Sequence, residues 1–161
     1  MPIDGGRSSD SYSSEIGKDA RRDALWPGGF FVAYDMTLDF QKSGGLITAV
    51  IQDAGSGRVL MVGFMNDEAF RKTCETGFVT FYSRSRNKLW MKGESSGHRL
   101  VVKQIQTDCD DDTLLIQVDA LGPGVCHAGY QSCFYRRLDG DTWVESEKQT
   151  YDPNAVYGGK Q

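Results

Sequence analysis

Between about residues 29 and 140 the apolar residues fall into short runs of strand-forming type, broken by Gly- and Asp-rich connections. Leu46–Ile51 and Val59–Phe64 are two such runs. The turn Asp53-Ala-Gly-Ser-Gly57 between them predicts a hairpin. A helix is predicted next: Asn66 suits an N-cap, Asp67 and Glu68 complement the positive end of the helix dipole, and Gly77 suits the left-handed residue that ends it. Phe78–Ser83 and Leu89–Lys92 read as strands, the second ending at Gly93. Leu100–Gln106 and Leu114–Leu121 flank an acidic connection, and Cys133–Leu138 is the last clear strand. Roughly seven strands against one clear helix predict a mainly β fold with minor α: a single domain of antiparallel, barrel-like sheet with one or two short helices.

The flanks differ. Residues 1–28 are rich in Ser, Gly and charge and lack periodicity, which predicts a mobile N-terminal extension. Residues 29–140 form the expected domain. Residues 141–161 form a C-terminal extension, read as a short strand or helix with a frayed end. A length of 161 residues fits one domain. Eighteen basic against 22 acidic residues leave a net charge of −4, without the basic excess a nucleic-acid partner requires. No run approaches the ~18 apolar residues of a membrane span. The first residues lack the apolar stretch of a secretory signal, and Asp4, Asp10, Glu15, Asp19 and Asp23 are unlike an acid-poor transit peptide. A cytoplasmic location is therefore expected. There, four cysteines point to metal ligands or reactive thiols rather than disulfides.

Candidate chemistry gathers late in the chain. Sixteen residues separate Cys109 from Cys126 and six separate Cys126 from Cys133, spacings that match no zinc knuckle. Cys74 lies apart, on the predicted helix, as a packing thiol. Three cysteines without a fourth partner fit an open zinc site, which leaves a position for water; buried thiols or a redox pair fit the spacing as well. Asp108, Asp110 and Asp112 alternate. In an extended segment their carboxylates share one face and repel one another unless a cation sits among them; oxygen-only ligation suits Mg²⁺. The bland reading is a solvated acidic turn. Arg84 and Arg86 alternate at a strand end and can grip phosphate. Trp90 can stack on a base, Lys92 shares its face, and Gly93, Ser95, Ser96 and His98 belong to a loop able to offer groups to an anion. A basic strand end beside a half-buried Trp explains the same residues.

Taken in order, Asn66-Asp-Glu-Ala69, Ser83-Arg-Ser-Arg86, Lys92-Gly-Glu-Ser-Ser-Gly97, Thr107-Asp-Cys-Asp-Asp-Asp112, Gly124-Val-Cys-His-Ala-Gly129 and Ser132-Cys-Phe134 resemble the phosphoribosyl-AMP cyclohydrolase family of histidine biosynthesis. The likeness runs from about residue 45 to 136. It implies hydrolysis of the N1–C6 bond of the adenine ring in 1-(5-phosphoribosyl)-AMP by zinc-activated water, with Mg²⁺ also required. It assigns zinc to Cys109, Cys126 and Cys133, and Mg²⁺ to Asp108, Asp110 and Asp112. It further implies an intertwined homodimer with active sites at the subunit interface, so that zinc ligands can come from different chains. Three thiolates make zinc a weaker Lewis acid than three histidines would. A helping acid/base is then needed, and His127 is the candidate, its alternative being to orient a cysteine. Arg84, Arg86, Trp90, Lys92, Gly93, Ser95, Ser96 and His98 are the substrate-binding candidates, His98 being equally readable as a loop residue without that task.

Ala128 stands where the family more often carries Thr. Too few residues follow the motifs for the helical pyrophosphohydrolase domain fused to some relatives, so a single activity is expected. Two other classes compete. A cytidine-deaminase-like hydrolase needs a Pro-Cys-x-x-Cys motif that the sequence lacks. A zinc-stabilised β module that only binds partners leaves the Asp triplet without a purpose.

Overall fold

The computed structural model describes residues 38–158. The expected extension 1–28 lies outside the described residues, as do 29–37 and 159–161. Alternation explains the central strands. In β1 (Ile47–Asp53), Ile47, Ala49 and Ile51 are fully buried while their neighbours are partly exposed. In β6 (Thr113–Ala120), Leu114, Ile116 and Val118 do the same. Each such aliphatic side chain contributes about 1.5–3 kcal/mol by leaving water. Between them in the chain come β2 (Val59–Met65), α1 (Asp67–Thr76), β3 (Thr80–Ser83), β4 (Lys88–Met91) and β5 (Leu100–Thr107). The chain closes with β7 (Arg136–Asp139), β8 (Thr142–Glu145) and α2 (Pro153–Tyr157).

The main sheet has the order β2-β1-β6-β5. Its hairpins β1–β2 and β5–β6 are antiparallel, but β1 runs parallel to β6, with Thr48 beside Thr113 and Ile51 beside Ile116. The first hairpin turns as expected: the Asp53 carboxylate accepts hydrogen bonds from Ser56 N at 2.8 Å and Ser56 Oγ at 2.6 Å. The helix is also as expected. Asn66 Oδ1 accepts from Ala69 N at 2.8 Å, and Gly77 closes the last turn at φ 72°. Among the described residues no helix is long and apolar enough to cross a membrane.

The expected barrel is not formed. Its antiparallel hairpins are present, but β2 and β5 remain edges of the main sheet, while β3–β4 and β7–β8 pair only within themselves. A single bridge, Phe78 to Val101, links the chain before β3 to β5. Alternation identifies the buried face of each strand and is silent on its neighbours. The strand expected at Cys133–Leu138 begins only at Arg136. Ser132 Oγ donates to Val59 O at 2.9 Å and accepts from Phe134 N at 2.9 Å, and Cys133 N donates to Leu60 O at 2.8 Å. These bonds fasten Ser132–Phe134 to β2 as a loop and remove them from the ladder.

A tight contact joins the β3–β4 ribbon to the main sheet. Phe81 is fully buried, and a side chain at Gly63 in β2 would place its Cβ 2.4 Å from two Phe81 ring carbons. Phe81 in turn lies 4.9 Å from the Trp90 ring. Gly63→Ala is expected to cost about 1–3 kcal/mol through overpacking. Urea unfolding monitored by circular dichroism measures it; an unchanged midpoint would mean that the Phe81 ring moves aside freely.

Candidate functional site

A cleft of about 270 Å³ opens between the β3–β4 ribbon and the loop that carries Cys126 and Cys133. From the ribbon side it is lined by Arg86, Trp90 and Lys92, followed by Gly93, Ser95 and Ser96. From the loop side come Val125, His127 and Cys133; Met61, Met91, Glu94 and Tyr157 complete it. Trp90 is fixed by its cross-strand partner Phe81. Gly93 adopts φ 84°, and a Cβ there would meet the His98 backbone at 2.4 Å, so this tight turn requires glycine. Lys92 is only 9% exposed, and no carboxylate among the described residues pairs with it. A buried ammonium at a cleft wall is a ready anion site.

The thiols are arranged by the loop Gly124–Phe134. Cys126 N donates to Tyr130 O at 3.1 Å and Gly129 N to Cys126 O at 3.0 Å, a tight turn that points Cys126 back toward Cys133. Burial and the adjoining Cys126, which also hydrogen-bonds to it, push the Cys133 thiol up to about 11. Lys92 opposes that rise and so lies close enough to stabilise a thiolate. His127 is exposed at the cleft mouth.

Several residues after position 140 support this loop, which composition did not foretell. Thr150 N donates to Gly129 O at 2.7 Å, Gln149 Nε2 to Ala128 O at 2.9 Å, and Tyr151 Oη to Cys126 O. Arg58 pairs with Glu147 and donates to Gln131 at 3.1 Å, tying the loop's flank to the β1–β2 turn. Tyr157 reaches the cleft itself. Their signal is weak because each acts through a contact distant in sequence.

Two substrate-binding candidates lie away from the cleft. Arg84 sits in the turn after β3, its guanidinium 3.9 Å above the Phe64 ring. That turn ends the alternation that would have set Arg84 and Arg86 on one side; Arg86 alone lines the cleft. His98 is buried, with Nδ1 3.0 Å from Gly124 O and its ring edge-on to Tyr151. It braces the cysteine loop from behind.

The acidic residues form a second centre at the β5–β6 connection. Ligand oxygens of Asp108, Asp110 and Asp112 lie within 4.8 Å of one another. They converge through a turn, not an extended strand: Asp111 adopts φ 59°, and Asp108 Oδ1 accepts from Asp112 N and Thr113 N, each at 3.2 Å. Lys42, before β1, pairs with Asp110 and lies 2.8 Å from Asp112. Its ammonium, with Thr113 helping, holds the Asp112 carboxyl below the usual carboxylate range, and the two carboxylates raise Lys42.

Cys109, on the same connection, is exposed and forms no group of three ligands with Cys126 and Cys133 among the described residues. It follows edge strand β5, whereas Cys133 is bonded to the opposite edge, β2. Three strand spacings alone separate those edges by roughly 14 Å. One chain therefore offers Cys133 at the cleft with Cys126 beside it, and Cys109 at a distance.

A family model described as phosphoribosyl-AMP cyclohydrolase matches residues 61–135. Proteins named phosphoribosyl-AMP cyclohydrolase are similar over most of their length. That of Solibacter usitatus is 71% identical over 125 residues, covering 78% of this chain and 99% of the relative. Those of Desulforapulum autotrophicum and Geotalea uraniireducens are each 54% identical, covering 74% of this chain and 97% and 96% of themselves. The chain belongs to the phosphoribosyl-AMP cyclohydrolase family. The stretch matched by the cyclohydrolase model contains the cleft's ribbon, the acidic connection and Cys109, Cys126 and Cys133, but neither Lys42 nor residues 149–157.

In metal-free protein the raised Cys133 thiol stays protonated at neutral pH. Its reaction with iodoacetamide is expected to keep accelerating toward pH 11; peptide mapping reads the rate, and a plateau near 9 would contradict the close pairing of Cys133 with Cys126 described above.

Proposed function

We propose that this chain hydrolyses the N1–C6 bond of the adenine ring in 1-(5-phosphoribosyl)-AMP during histidine biosynthesis, giving the phosphoribosyl-formimino aminoimidazole carboxamide ribotide. The observation that carries the reading is one cleft holding Trp90, Lys92, Cys133 and His127 together, in a chain of this family. Trp90 offers a ring face to the base, with Met61 and Val125 as apolar walls. Lys92, Arg86, Gly93, Ser95 and Ser96 form an anion-binding side, suited to a substrate with two phosphate groups, with Glu94 the one carboxylate on that wall among the described residues.

The donor sets match two different cations. Paired thiols at Cys126 and Cys133 suit zinc, and three clustered carboxylates suit Mg²⁺. When bound, zinc supplies Lewis acidity that makes water nucleophilic at neutral pH. Cys126 and Cys133 would hold it with Cys109, and Asp108, Asp110 and Asp112 would hold Mg²⁺. The separation of Cys109 from its fellows supports a homodimer in which a second copy provides it. The β7–β8 hairpin supplies apolar surface for such an association: Leu138 and Trp143 face each other across it, 56% and 63% exposed. His127, exposed in the cleft lining, would take a proton from water as the water oxygen bonds to C6, and return it to N1 as the N1–C6 bond breaks. Residual roles in substrate binding for Arg84 and His98 would be indirect, through Phe64 and the cysteine loop.

Turnover of phosphoribosyl-AMP, followed by ultraviolet absorbance, is expected to vanish on chelation and to return only with both Zn²⁺ and Mg²⁺. Cys126→Ser should abolish it while the oligomeric state by sedimentation is unchanged. A wild-type rate in that variant would remove the zinc assignment, and absent activity in fully metal-loaded protein would remove the reaction itself. His127→Ala should lower kcat by roughly 10²–10⁴. A loss below about threefold would leave His127 a positioning or packing residue.

A further inference from the structure

Lys42 stands 68 residues before Asp110 in the chain, yet its side chain ends in the acidic cluster. Its placement is built. Asp39 N donates to Asp111 O at 2.8 Å, docking the pre-β1 turn on the acidic connection. Asp39 Oδ1 accepts from Gln41 N at 3.1 Å and Lys42 N at 3.0 Å, and Gly45 N closes the turn on Phe40 O at 2.7 Å. With its backbone held this way, Lys42 directs its ammonium between two carboxylates of the triad. It meets Oδ2 of both Asp110 and Asp112. Asp108 is pinned separately, through Oδ1, by two backbone N–H groups.

Three carboxylates this close repel one another. One ammonium offsets a single one of the three charges, so the triad still favours a cation of higher charge in its place. An ion coordinated by the Oδ2 atoms of Asp110 and Asp112 needs the volume that the Lys42 ammonium fills. The two cations therefore exclude each other. We propose that Lys42 is a tethered competitor of the divalent cation: it keeps the triad assembled when the metal is absent and gives way when the metal binds, so that the site fills more weakly than the bare carboxylates would. This rests on the triad being the Mg²⁺ site. The competitor never dilutes, because it is part of the same chain and is held at high effective concentration.

The test is Mn²⁺ binding to full-length, zinc-loaded protein, read from the electron paramagnetic resonance signal of free Mn²⁺, which does not depend on turnover. Removing a positive charge next to a divalent ion should tighten binding on the order of tenfold in Lys42→Met and Lys42→Gln. Lys42→Arg, which keeps the charge, should stay within about threefold of wild type. Asp110→Asn should weaken binding in both the wild-type and Lys42→Met backgrounds. Unchanged or weaker binding in Lys42→Met and Lys42→Gln, with Asp110→Asn still damaging, would overturn the competitor role and leave Lys42 a surface ion pair. If Mn²⁺ fails to bind any of these proteins, the divalent site itself falls, and this inference with it.

Discussion

Parallel pairing of β1 with β6 is the constraint from which the remaining geometry follows. Two strands that run the same way begin at the same end of the sheet, so the turn before β1 lies beside the connection that enters β6. Thr48 N donates to Asp112 O across that junction at 3.4 Å. Lys42 and the Asp108–Asp112 turn, distant in sequence, become neighbours through this pairing and the Asp39 N–Asp111 O bond beside it. The pairing persists because Ile47, Ala49, Ile51, Leu114, Ile116 and Val118 bury one continuous apolar face, and sliding either strand by one residue would turn that face to water.

The same sheet keeps two kinds of chemistry apart. Hard oxygen donors gather at the β5–β6 connection, while the soft sulfur pair of Cys126 and Cys133 is held against β2. Separation prevents one cation from bridging both sets within a chain. It also leaves Cys109 exposed at one edge and the neighbouring thiols of Cys126 and Cys133 at the other. Electrostatics at the cleft are opposed: Lys92 favours thiolate at Cys133, while desolvation and Cys126 favour thiol.

Support for the cleft comes from residues that carry no chemistry. Gly63 lets Phe81 approach β2, Phe81 sets Trp90, and the strap from Gln149 to Tyr151 hydrogen-bonds the cysteine loop. His98, buried behind the loop against Gly124 O and Tyr151, belongs with this group. Each link is short-ranged in space and long-ranged in sequence, which is why the part of the chain after residue 140 read as a mere extension.

Local physics was legible from the chain. Alternating Ile47, Ala49 and Ile51 identified a one-sided strand, Asn66 and Gly77 marked both ends of the helix, and the motifs around Cys109, Cys126 and Asp108–Asp112 pointed to the family that the relatives then established. All of these depend on neighbours a few residues apart, where backbone geometry alone decides the outcome. Strand order, the open edges in place of a barrel, the inward turn of His98, the loss of Arg84 from the cleft and the arrival of Lys42 at the acidic triad were decided by tertiary structure. Burial constrains which face of a strand points inward and leaves its partner free, so contacts between distant residues are settled only when the whole apolar surface closes at once.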